Sequence, residues 1–210
     1  MKSSKKITLN LIFSLSIIWI GSKKDFQKIL KKSLGEIFVN RAALVPEFSK
    51  IVCVSVGFVD PKGEIKKQTF FNSDETQLLN DVNSLLNRVD KLGFILCGHN
   101  LKNFDIPVLA KRMLINGILP SSILPSYDTK PWEIKAIDTK EIWQYGQFGA
   151  ISSLELMCVS LGIESSKNME VTGNKVHNSF WLENKYQEIQ DYCEKDVEVL
   201  IKVVMKLTNL

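Results

Sequence analysis

Tyr192 and Asp196 stand four residues apart in the stretch Tyr192-Cys193-Glu194-Lys195-Asp196, and on a helix that spacing puts both on one face. A phenol and a carboxylate then project toward the same spot. Well upstream, Gly98-His99-Asn100-Leu101-Lys102-Asn103-Phe104-Asp105 ends in another acid, Asp105, with Pro107 placed where a helix would begin. Hard divalent ions such as Mg²⁺ and Mn²⁺ take oxygen ligands, so acids in such positions are their natural partners. With two histidines in the chain, a His-based metal site is not available. Cys53, Cys97, Cys158 and Cys193 are scattered without the spacing of a zinc knuckle or redox pair, and read as reduced, buried small hydrophobes. Each acid also has a plainer reading. Asp105 fits a helix N-cap, Tyr192 the edge of an amphipathic core, and Asp196 a solvated helix position.

The elements that would position these groups follow from hydropathy. Residues 7–18 are a β-compatible apolar run, and a Lys-rich amphipathic segment over 23–32 reads as a short exposed helix. Residues 50–58 form a continuous, β-branched strand, joined through the turn Asp60-Pro61-Lys62-Gly63 to an antiparallel strand over 65–71. Asn72 with Glu75 resembles a capping box, after which Leu78, Leu79, Val82, Leu85, Leu86 and Val89 recur at helical spacing. A short strand over 94–97 leads into Gly98, and Val108, Leu109, Met113 and Leu114 mark the next helix. Prolines and serines make a loop over 119–133, followed by a strand over 134–138, a helix over 152–161 ended by Gly162, and a polar irregular stretch over 163–183. The last helix, 185–207, carries Ile189, Tyr192, Asp196, Val199 and Val203 on one broad face. The 210 residues are read as one α/β domain.

Taken together and in this order, the two motifs resemble those of the DEDDy branch of the DnaQ-like, polymerase B-like 3′-to-5′ exonucleases, of ribonuclease H-like fold: a mixed β-sheet flanked by α-helices. The resemblance covers most of the chain from about residue 50. Lys111-Arg112-Met113-Leu114, Lys130-Pro131-Trp132-Glu133 and Asp138-Thr139 are similar to segments of bacterial members, although Asp138 equally suits a strand-end residue that binds backbone. The resemblance implies hydrolysis of phosphodiester bonds at DNA or RNA 3′ ends by two divalent cations, Mg²⁺ or Mn²⁺, which activate water and stabilise the leaving oxygen. It implies Asp105 and Asp196 as metal ligands, Tyr192 as the residue orienting the attacking water, and Asn100 and Phe104 as substrate-binding, with Phe104 packing the motif to the sheet.

The sequence departs from the family at the first strand, where an Asp-x-Glu pair should complete the metal site. Aligning 7–13 with that strand puts Asn10 and Ile12 at the acidic positions, and no acid precedes Asp25. The expected consequence is weak affinity for the first ion and impaired hydrolysis, since Asp196 is left to balance a divalent charge largely alone. The competing reading is a catalytically inactive nucleic-acid-binding module, for which Lys23, Lys24, Lys28, Lys31 and Lys32 would supply phosphate contacts.

Composition constrains less. The net charge of +4 permits nucleic acid without demanding it, and 45% hydrophobic with 24% charged residues is ordinary for a soluble domain. The basic start and the apolar run to Ile20 have features of a signal peptide, but the cleavage region lacks paired small residues and the run is short of the roughly 20 residues a span needs. A cytoplasmic protein without membrane association is therefore expected. Any protein partner is left unspecified by the sequence.

Overall fold

The computed structural model describes residues 12–21, 45–147, 149, 153–166, 169 and 175–208. Asn10 and the Lys-rich segment 23–32 lie outside them.

Five strands form one mixed sheet. They are β1 (Ile12–Gly21), β2 (Ser49–Val59), β3 (Ile65–Phe71), β4 (Ile95–Gly98) and β5 (Ala136–Asp138), in the spatial order β3-β2-β1-β4-β5. The β1–β2 and β2–β3 pairs are antiparallel, whereas β1–β4 and β4–β5 are parallel. The helices are α1 (Glu75–Lys91), α2 (Asp105–Ile115), α3 (Thr139–Gln144), α4 (Leu154–Leu161), α5 (Val176–Trp181) and α6 (Tyr186–Thr208).

The central position of β1 follows from its composition, since a strand covered on both faces is near-continuously apolar. Alternation then sorts its side chains. Phe13, Leu15 and Ile17 enter the core formed with Leu78, Leu79, Val82 and Leu86 of α1 and Ile106, Leu109 and Met113 of α2. Ile18 and Ile20 pack on the opposite face with Cys53, Phe180, Ile189 and Cys193. The apolar run read over 7–18 thus supplies β1 from residue 12 onward, and the strand continues past that limit to Gly21.

Several expectations need correction. The N-cap of α1 is Asp74, whose carboxylate accepts from the Thr76 and Gln77 amides, and not Asn72. Glu75 does not turn back to cap the helix because it is buried and bound elsewhere. Its carboxylate accepts from the Ile51 amide at 2.7 Å and from Arg112 Nε and Nη2 at 2.9 and 2.5 Å. This pair ties β2, α1 and α2 together. Residues 163–183 are not irregular throughout, since Val176 and Phe180 bury one side of α5 against β1 and α6. The six-residue α3 was missed altogether. It starts on Asp138 as N-cap and ends on Tyr145 in left-handed backbone, φ 50°.

The long helix α6 packs along the sheet, and the stripe that touches the strands is Ile189, Cys193, Val197 and Ile201. The broad face expected from the sequence is divided. Val199 and Val203 pack on Met157 and Cys158 of α4, whereas Tyr192 packs against the cluster that holds Ile18 of β1 and Cys53 of β2. Gly57 permits the close approach of α6, because a Cβ there would stand 2.8 Å from Val197 Cγ1 and 3.0 Å from Ile201 Cδ1.

Candidate active site

A cavity of about 270 Å³ opens where β1, the segment after β4, the start of α4 and α6 meet. That is near the lower end for ligand clefts, roughly 300 Å³. Its walls include Ser16, His99, Phe104, Asp105, Tyr192 and Asp196. Asp105 and, far along the chain, the neighbouring pair Tyr192 and Asp196 therefore share one concavity.

The turn that delivers Asp105 is organised by Asp138. One of its carboxylate oxygens accepts from the amides of Asn100 and Lys140 at 2.8 and 3.0 Å, and the other from the Lys102 amide at 3.1 Å. Asp138 is the backbone-binding strand-end residue. Its grip lets Asn100 adopt left-handed backbone, φ 61°, for which Asn is suited. Asn100 is not among the cavity-lining residues, and its side-chain oxygen accepts from Lys140 Nζ at 3.2 Å. Phe104 does line the cavity and immediately precedes α2.

Asp105 is the first residue of α2. Burial above all, and then the negative charges of Asp138 and Asp196, push its carboxyl up to about 8, opposed by a backbone hydrogen bond. Beside it His99 Nδ1 lies 3.0 Å from Thr139 Oγ1, whose hydroxyl donates to Gly98 O at 3.3 Å. With that hydroxyl committed, Nδ1 is the donor to Thr139, an assignment made from the hydrogen-bond network.

The contribution of β1 is the main surprise. The β1 residues lining the cavity are Leu15, Ser16 and Ile17. Ser16 borders α6 directly, its carbonyl oxygen 3.6 Å and its Oγ 4.0 Å from Cys193 Sγ, one residue from Tyr192. Reasoning from sequence had put Asn10 and Ile12 in this role. Asn10 is outside the described residues, and Ile12 is the first residue of β1, four positions before Ser16. The signal overlooked was the pair Ser14 and Ser16, the polar residues of an otherwise apolar strand apart from its final glycine. His99 was within the quoted motif but carried no role, and Ser153, Glu155 and Ser166 at the rim had no recognisable spacing.

Two divalent ions require several oxygen anions within reach of one another. Among the described residues no group of three or more His, Cys, Asp or Glu is placed to hold a metal ion. The donor set present does not fit a two-ion centre.

Residues 43–205 match the family described as a predicted 3′-5′ exonuclease related to the exonuclease domain of PolB. The chain belongs to this family. Its exonuclease-like fold is also that of the family B DNA polymerase from the hyperthermophilic archaeon Pyrobaculum calidifontis, with a TM-score of 0.65 at 15% identity. That similarity covers 93% of this chain and 24% of the polymerase, so the chain spans about a quarter of the polymerase's length. A product-bound structure of exonuclease I gives a TM-score of 0.49 at 11% identity, covering 94% of this chain and 43% of that one. An E. coli exonuclease I structure in complex with a dT13 oligonucleotide gives 0.46 at 11% identity, covering 94% of this chain and 40% of that one. No curated protein matches the chain significantly. The mixed sheet with flanking helices expected from the sequence is the observed architecture.

Proposed function

We propose that this PolB-like exonuclease-family chain takes the 3′ end of a DNA or RNA strand into the cavity between β1 and α6, and that its metal-dependent hydrolysis is severely impaired. The observation that carries this reading is the make-up of the cavity, where Asp105, Tyr192 and Asp196 are joined on the β1 side by the hydroxyl of Ser16 and by no carboxylate. Phe104 and Tyr192 offer aromatic faces to a terminal base, a contact that tolerates any sequence. In the family reading Asp105 and Asp196 hold ions and Tyr192 orients water, but no carboxylate faces them from β1. Binding without turnover is the behaviour this arrangement favours.

The test is a 5′-fluorescein single-stranded oligonucleotide, followed by anisotropy in chelator and by gel after incubation with Mn²⁺. We expect binding that survives chelation, weakens on Phe104→Ala or Tyr192→Ala, and proceeds to no more than trace 3′ shortening. Efficient laddering from the 3′ end that Asp196→Ala abolishes would show an active two-metal enzyme and overturn the impairment. Absence of any binding would remove the reading altogether.

A further inference from the structure

We infer that Ser16 in the cavity wall, with Ser14 two residues before it on the same face of β1, stands where a metal site would need carboxylates, and that the two hydroxyls keep divalent cations from binding. The inference deepens the function proposed above and rests on it for the identity of the site. Three observations place the pair. Residues two apart on a strand share a face, so Ser14 and Ser16 point together, away from Phe13, Leu15 and Ile17 in the core under α1 and α2. That shared face is the one α6 covers. Ser16 meets Cys193 of α6, and Ser14 pairs in register with Gly57, the residue on which Val197 closes. Ser14 also pairs with Cys97 of β4, the residue before Gly98 and His99, so the serines lie on the strand segment that adjoins the Asp105 turn.

Chemistry supplies the rest. A buried polar group on a central strand needs a reason, and Ser14, buried among apolar residues, is such a group. A hydroxyl is a neutral, weak ligand, and replacing two anions by two hydroxyls removes two negative charges from any cation's coordination sphere. Asp105 of α2, Asp196 of α6 and Glu155 of α4 then remain as the acids that line the cavity. Lengthening Ser16 to a glutamate would carry a carboxylate toward Asp105 and Asp196, whereas the pair inferred from sequence alignment, Asn10 and Ile12, is offset by four residues along the chain.

The experiment measures Mn²⁺ binding by the electron paramagnetic resonance signal of the free ion, a readout independent of nuclease activity. Four full-length proteins are compared: the chain as it is, Ser14→Asp with Ser16→Glu, Ser16→Glu alone, and Asn10→Asp with Ile12→Glu, each checked for folding by circular dichroism. The expected result is free Mn²⁺ with the unaltered chain and at least tenfold tighter binding with the serine variants, lost again on adding Asp196→Ala. The Asn10 and Ile12 variant should gain nothing. If the doubly charged serine variant does not fold, Ser16→Glu alone decides. Tight Mn²⁺ binding by the unaltered chain overturns the inference, as does a folded Ser16→Glu protein that binds no better than the Asn10 and Ile12 variant. Oligonucleotide anisotropy in chelator, run on the same proteins, separates the two claims: loss of nucleic-acid binding alongside the expected Mn²⁺ pattern sinks the function and leaves the cation assignment standing.

Discussion

On the side of the sheet covered by α1 and α2, β1 presents Phe13, Leu15 and Ile17 to a continuous apolar core, and the buried Glu75–Arg112 ion pair on that side is well bonded. On the side covered by α6, the alternate residues of β1 and β2 include Ser14, Ser16, Ser55 and Gly57 beside Ile18 and Cys53, with Ser55 Oγ bonded to Thr69 Oγ1 at 2.8 Å. Glu75 and Asp105 sharpen the contrast. Glu75 has a guanidinium, an amide N–H and the Asn116 side chain around its carboxylate, whereas Asp105 is crowded by the charges of Asp138 and Asp196. The first side places a charge where it is fully compensated. The second tolerates polar and repelling groups beside a cavity, a pattern typical of functional sites and costly to stability.

Breaking the first side should cost the most. Arg112→Ala leaves Glu75 buried without its cation and should lower stability by about 3–5 kcal/mol, read by chemical denaturation. A smaller loss of about 1–3 kcal/mol is expected of Gly57→Ala, because the new methyl overlaps Val197 and α6 must shift. The site itself should behave in the opposite sense. Folded Asp105 keeps its proton to about 8, while the unfolded chain releases it near 3.8, so the folded state binds more protons between these values. Stability from this group therefore falls as pH rises from about 4 to about 8. Asp105→Asn should remove that slope and raise stability at pH 9, seen as a higher Tm at pH 9 and little change at pH 4. The smallest effect belongs to Glu198 on the side of α6 that meets β3, whose carboxyl Lys202 foremost, with Lys67 and Lys195, holds down at about 2. Glu198→Gln should cost less than about 1 kcal/mol at neutral pH. Because that pKa is lowered, the contribution is complete above about 4.5 and is lost as pH falls toward 2, so the variant and the parent should converge in acid.

Much of this contrast could be read from residue order. The strands over 50–58 and 65–71 and the helices carrying Leu78 to Val89 and Tyr192 to Val203 have strong periodicity, and the structure places them within a residue or two of expectation. Asp105 and the pair Tyr192 and Asp196 could be singled out because each lies in a short motif on a well-marked element, and the structure places all three around one cavity. The placing of the first strand was not. An apolar run offers no charged residue to fix its register, and the offset from Asn10 and Ile12 to Ser14 and Ser16 is four, an even number. An even slip keeps every side chain on its own face, so alternation alone does not reveal it. Only pairing with Gly57, Ser55 and Cys97 fixes the strand. Glu75 failed for a related reason, since its partner Arg112 is far along the chain and local capping logic took precedence.

The grip of Asp138 has a consequence for exchange with solvent. Asn100, Lys102 and Lys140 lie at turns or a helix start, where amides ordinarily trade their hydrogens quickly, yet all three donate to a single carboxylate that is only 2% exposed. Their deuterium uptake should be as slow as that of strand amides and should rise together in Asp138→Ala, marking the 98–105 turn and the start of α3 as one cooperative opening unit.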